Sequence, residues 1–264
     1  MWPFGARLPI DQDELDFQLA TFKWLIREFG PVGDRPLILP NPDFFPLTES
    51  RVQAATEELF EQVREHAGMA DWPCQLEAGD SDHPLAGGAA IGMGLSVSGS
   101  TPCGTFRIGE GPEGRHAIIT FDPGMARDRA GLAATFAHEF GHYLMATASE
   151  APPGGWELHE LHTDLAACYM GFGVLLANAA RSFETFGTGR ATGWRSSLKG
   201  YLSEQALVTA TVIFQRLAGR DPAEAAPWLE PHLRGVLKKA DKALARQAPD
   251  MAAAVAAIRL SEYA

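Results

Sequence analysis

Two histidines with a carboxylate between them are the residues in this chain best suited to chemistry. "HEFGH" places His138 and His142 four positions apart, with Glu139 next to the first. The surrounding pattern predicts a helix over about 128–148. At about 100° per residue the two imidazoles fall on one face, one turn apart. Imidazoles so placed bind a single Zn²⁺, and a glutamate between them reaches a water on that metal and can serve as its base. Without a metal, the same residues would only hydrogen-bond on a partly buried helix. Gly141 costs about 1 kcal/mol relative to Ala inside a helix, so its presence suggests that another element, such as the next helix, comes close there.

A catalytic zinc takes three protein ligands and leaves a fourth position open. The compact extension of astacin- and matrixin-type sites, with Gly three and His six residues after the second histidine, is absent, since Met145 and Ala148 stand there. The next helix, expected over about 157–180, carries "HELHTD" at 159–164. Glu160 and Asp164 are one turn apart on a common face, so Glu160 can bind metal while Asp164 orients a ligand. A metal-bound histidine normally donates its other N–H to such a carboxylate. His159 and His162 share a different face, with His162 about 200° from Glu160, so both sets cannot meet one metal. Glu157 is a further option on the Glu160 face. His66, His83 and His116 are isolated and read as surface or turn residues.

The HExxH at 138–142, followed by ExxxD at 160–164, resembles the gluzincin (thermolysin-like) zinc metallopeptidases. The resemblance covers only these two segments, and the first motif is the more specific. It implies that His138, His142 and Glu160 hold one Zn²⁺ per chain, that Glu139 is the general base and that Asp164 orients a ligand histidine. The chain departs from the pattern at His159, where that group usually has Asn. The group also uses a downstream His or Tyr to stabilise the oxyanion, which makes Tyr201, Arg195 and His232 candidates. An edge strand before the metal helix binds substrate by strand addition in zincins; "HAIITF" at 116–121 or "GTFRIG" before it is expected to supply it. "GFGVLLANAA" and "GYLSE" are similar to segments of bacterial zincin-like proteins. "HEFGHYLMA" also resembles the intramembrane site-2 metalloproteases, but Arg127, Asp128 and Arg129 open the helix and no segment is long and apolar enough to span.

The elements that must hold these residues follow from pattern. A helix is expected over Asp11 to Phe29, with Asp11 as its cap and Gly30-Pro31 as its stop. A second runs from about Glu49 to His66 behind a Thr48 cap. "LILP" at 37–40 reads as a short strand. Pieces such as "CQLEA", "GLSVS", "GTFRIG" and "HAIITF" between 72 and 121 predict a small antiparallel sheet. Helices are expected thereafter, with later ones near 203–219 and 230–246 and an Ala-rich tail. Sheet followed by helices is an α+β class, here zincin-like. A single domain over 1–264 is expected, made of an N-terminal helix and strand region (1–80), the sheet with the metal helices (81–180) and a C-terminal helical region (181–264).

Composition narrows the function. The chain has 264 residues, 46% of them hydrophobic, and a net charge of −11, enough for a sizeable core and unsuited to a phosphate backbone. Three cysteines, Cys74, Cys103 and Cys168, are too few and too scattered for a disulfide framework, so a reducing, cytoplasmic setting is expected. The uncharged stretch 85–106 holds six glycines, and 165–180 would span only about 24 Å as a helix, so neither suits a bilayer of about 30 Å. The expected function is a soluble zinc-dependent hydrolase cleaving peptide bonds, with a peptide or protein substrate and neither nucleic acid nor membrane as partner. The alternative is a catalytically silent zincin-like binding or regulatory module with a structural zinc.

Overall fold

The computed structural model describes residues 8–79, 104–111, 114–186 and 201–263. The metal-motif helix, α3 (Arg129–Met145), is buried along its whole length from Gly131 to Met145. A helix apolar on every side belongs in the middle of a protein, and small residues such as Ala133, Ala134 and Ala137 let neighbours approach it. Asp128 begins α3 by accepting the Gly131 N–H. Packed around it are α2 (Val52–His66), α4 (His159–Tyr169), α5 (Gly173–Phe186) and the sheet. On the α2 side, Phe60 lies 5.3 Å from both Phe136 and Phe140, centroid to centroid. Fully burying such a ring is worth roughly 1.5–3 kcal/mol. Beyond α4 lie α1 (Gln12–Phe29) and α6 (Glu204–Leu217). The chain ends with α7 (Arg234–Gln247) and α8 (Met251–Ala256).

The class is α+β, as expected, but the sheet is mixed and not antiparallel. Its order is β1 (Cys74–Ala78), β3 (Gly114–Phe121), β2 (Gly104–Gly111). β2 and β3 pair antiparallel, from Gly104 opposite Phe121 to Gly111 opposite Gly114. β1 runs parallel to β3 from Cys74↔Ala117 to Ala78↔Phe121. Strand propensity shows which residues are extended but carries no sign for relative direction. "HAIITF" therefore lies in the central strand, and the edges among the described residues are β1 and β2. The piece "GLSVS" lies outside the described residues.

Three other boundaries differ from expectation. "LILP" is not a strand; Ile38 makes one backbone bond, to the Gly171 carbonyl. The second helix starts at Val52, because Thr48 spends its hydroxyl and N–H on Glu58 and does not cap it. The helix expected over 157–180 is two, α4 and α5, broken at Gly171. That residue has φ +102°, and a Cβ on it would stand 2.3 Å from the Pro36 carbonyl. The 36–38 segment thus passes through the gap that a side chain would fill. No helix among the described residues is long and apolar enough to cross a membrane.

Candidate metal centre

α3 and α4 touch face to face at Gly141. A Cβ there would lie 2.7 Å from the Thr163 carbonyl and 3.0 Å from Thr163 Cγ2, so only hydrogen fits. This close approach brings the HExxH face onto the Glu160–Asp164 face. Nε2 of His138, Nε2 of His142 and a Glu160 carboxylate oxygen converge, with all three ligand atoms within 4.8 Å of one another.

The spacing suits an ion. Glu160 Oε2 lies 3.2 Å from His138 Nε2 and 3.5 Å from His142 Nε2, yet this buried oxygen has no hydrogen-bond partner. Ligand atoms each about 2.1 Å from a tetrahedral zinc stand about 3.4 Å apart. Close approach without hydrogen-bond geometry is what two ring nitrogens and a carboxylate show when they point at a common centre. The N,N,O donor set is that of a catalytic rather than a structural zinc.

Each of these groups has an outer partner. His138 Nδ1 lies 2.9 Å from Asp164 Oδ1, and His142 Nδ1 lies 3.1 Å from Thr163 Oγ1. Glu160 Oε1 lies 3.1 Å from His159 Nε2, whose Nδ1 is 3.2 Å from the Trp156 carbonyl. Such contacts fix ring orientation and tautomer. Burial alone would keep His138 neutral, but the Asp164 and Glu160 carboxylates outweigh it and hold its pKa well above the ordinary range. Burial likewise opposes ionisation of Glu160, and His142, His138 and His159 overcome it and hold its carboxyl well below the usual range. The cluster therefore favours the ionised form of the Glu160 carboxylate that faces the imidazoles.

Glu139 is 4% exposed, and burial raises its pKa above the usual carboxylate value, with His142 and His138 partly opposing. Its Oε2 has no hydrogen-bond partner among the described residues. The start of β2 lies against it, since a Cβ on Gly104 would come within 2.9 Å of Glu139 Oε1. Further along β2, the Phe106 ring stacks on His142 at 6.2 Å between centroids. Among the described residues, the edge strand beside the motif is therefore β2, the "GTFRIG" segment.

Of the remaining candidates among the described residues, only Tyr201 lies beside the cluster. Tyr201 packs its ring against His138, 5.0 Å between centroids. His232 is paired instead with Glu204 at 2.8 Å, where Arg181 also binds. Arg195 and His83 lie outside the described residues. His162 points to the far side of α4, where Thr21 Oγ1 is 3.3 Å from its Nδ1 and Phe17 and Trp24 flank its ring. His66 lies near Phe44 and Phe45, and Glu157 belongs to the 3₁₀ turn Trp156–Leu158 ahead of α4. The sequence reading did not single out Thr163. Its signal was available, since it follows Glu160 by three positions and so lies on nearly the same face. No family model, curated protein or solved structure matches the chain.

Proposed function

We propose that the protein is a zinc-dependent hydrolase of gluzincin type, most simply a metallopeptidase. One observation carries this reading: two imidazole nitrogens and a carboxylate oxygen converge to within 4.8 Å of one another, and a second buried carboxylate, Glu139, stands beside them without a partner for Oε2. A structural zinc needs no such second carboxylate. His138, His142 and Glu160 would hold the ion, with Asp164, Thr163 and His159 orienting them. Bound there, zinc would lower the pKa of a water ligand toward about 7 and polarise a carbonyl.

The chain's own groups supply the rest. Glu139, its affinity for protons raised by burial, takes a proton from the attacking water and delivers it to the leaving nitrogen as the C–N bond breaks. Tyr201, against His138, is the described candidate best placed to donate a hydrogen bond to the developing oxyanion. β2, lying against Glu139 at Gly104, offers an edge on which an extended peptide can add as a strand.

Glu139→Gln tests the reading because it keeps size and removes the base. Zinc content and melting temperature should stay near wild type, while cleavage of a broad peptide library falls at least about 10²–10⁴-fold. Equal cleavage by both proteins would overturn the mechanism, and so would a wild type that carries zinc and cleaves nothing in the library.

A further inference from the structure

Asp164 is 3% exposed and divides its carboxylate between two elements. Oδ1 faces His138 Nδ1 at 2.9 Å, and Oδ2 accepts the Leu202 backbone N–H at 2.7 Å. Leu202 is itself 4% exposed. It sits between Tyr201, whose ring lies on His138, and Ser203, whose hydroxyl caps α6 by accepting the Ala206 N–H. The carboxylate therefore joins α4, the candidate metal-binding face of α3 and the start of α6.

We infer that Asp164 is a positioning residue for Tyr201 as well as for His138, clipping the Tyr201–Ser203 arm to the metal helix through one carboxylate oxygen on each. This rests on the zinc reading for its functional meaning, while the clip itself is a property of the folded chain. The physical reason for an aspartate is its two acceptor oxygens. A His138 that uses Nε2 for a metal carries its proton on Nδ1 and needs an acceptor there; the Leu202 N–H, buried, needs another. Asparagine offers only one oxygen, and because His138 and Leu202 approach different oxygens of the carboxylate, that oxygen faces one of them at a time. Its NH₂ can face His138 only while Nδ1 is free to accept, which is the tautomer that a metal on Nε2 forbids.

That difference gives a test with a sign. Amide hydrogen exchange resolved at Leu202 should be measured on the full chain, metal-free and with saturating Zn²⁺. In wild type the amide should be protected in both states. In Asp164→Ala it should exchange roughly 10–100-fold faster in both, the loss of a hydrogen bond to a charged acceptor, and the proton cross-peak between the Tyr201 and His138 rings should disappear. In Asp164→Asn, adding Zn²⁺ should make the Leu202 amide exchange faster, because His138 then claims the single oxygen, while amides of α3 do not speed up. Wild-type protection of Leu202 in the Ala variant, or exchange in the Asn variant that ignores bound zinc, would overturn the clip. If the Ala variant does not fold, the Asn variant decides. If wild type binds no zinc, the metal reading falls, and metal-free exchange in the Ala and wild-type proteins still decides the clip.

Discussion

Glu160 and His162 are two positions apart on α4 and are held in opposite ways by what each faces. Glu160 turns to three histidines, which favour its charge. His162 turns to Thr21, Phe17 and Trp24, and burial, only partly offset by the Pro153 carbonyl, pushes its pKa down to about 3. The unfolded chain protonates this histidine near 6.5 and the folded chain does not until about 3. Its contribution to stability is therefore complete above pH 6.5 and is lost as pH falls through that window, on the order of 5 kcal/mol in all. His162→Gln should flatten the fall in unfolding free energy between pH 6.5 and 4, measured by urea titration; an unchanged slope would contradict the assignment. For metal, the order should be reversed. Glu160→Ala should lose most of the zinc seen by elemental analysis. His159→Ala, which touches only Oε1, should cost roughly 10–100-fold in affinity, and His162→Gln nothing. A larger loss from His162 than from Glu160 would mean that the other face of α4 binds the ion.

At the scale of elements, the candidate centre depends on the distance between α3 and α4, and Gly141 sets it. Alanine has the better helix propensity by about 1 kcal/mol, so an exposed Gly141 would gain stability on substitution. Here the new methyl would meet the Thr163 carbonyl at 2.7 Å, and backbone cannot swing aside as a side chain can. Gly141→Ala should therefore destabilise the protein by about 1–3 kcal/mol and weaken zinc binding at least about 10-fold, since His142 and Glu160 sit on the two helices being parted. Titration with zinc alongside thermal melts checks both; a stabilised variant with unchanged affinity would refute the packing argument. β2 makes the corresponding contact on the other side of α3, at Gly104 against Thr135 and Glu139.

For the molecule as a whole, most of the buried apolar side chains from Leu15 to Val255 form one continuous cluster, with the candidate ligands on two of its central helices. The ends of the described chain also meet, as Lys23 Nζ donates to the Ala256 carbonyl and α1 packs on α8. An ion that binds only the folded state stabilises everything coupled to it, by about 4 kcal/mol at a free concentration of 1,000 Kd. For a domain of this size that is roughly 10 °C in melting temperature. Chelation should lower the melting temperature by that order in a single cooperative transition, and His138→Ala should melt at one temperature with or without chelator. An EDTA-insensitive wild type would argue against a bound metal.

The sequence alone determined the local chemistry, because helical periodicity is a short-range property. Four-residue spacing put His138 with His142 and Glu160 with Asp164 on shared faces, and the Asp11 cap and the α3 pattern located helices to within a few residues. Even the nearness of another helix was legible in the cost of Gly141. Long-range choices were not. The direction of β1, the break at Gly171 and the true start of α2 each depend on a distant partner: β3, the Pro36 carbonyl and Glu58 respectively. The three oxyanion candidates looked alike in sequence, since nothing local separates Tyr201 from His232. Only the tertiary structure laid Tyr201 on His138, paired His232 with Glu204, and turned His162 into the core, because those outcomes are set by which helices pack together rather than by what any one helix prefers.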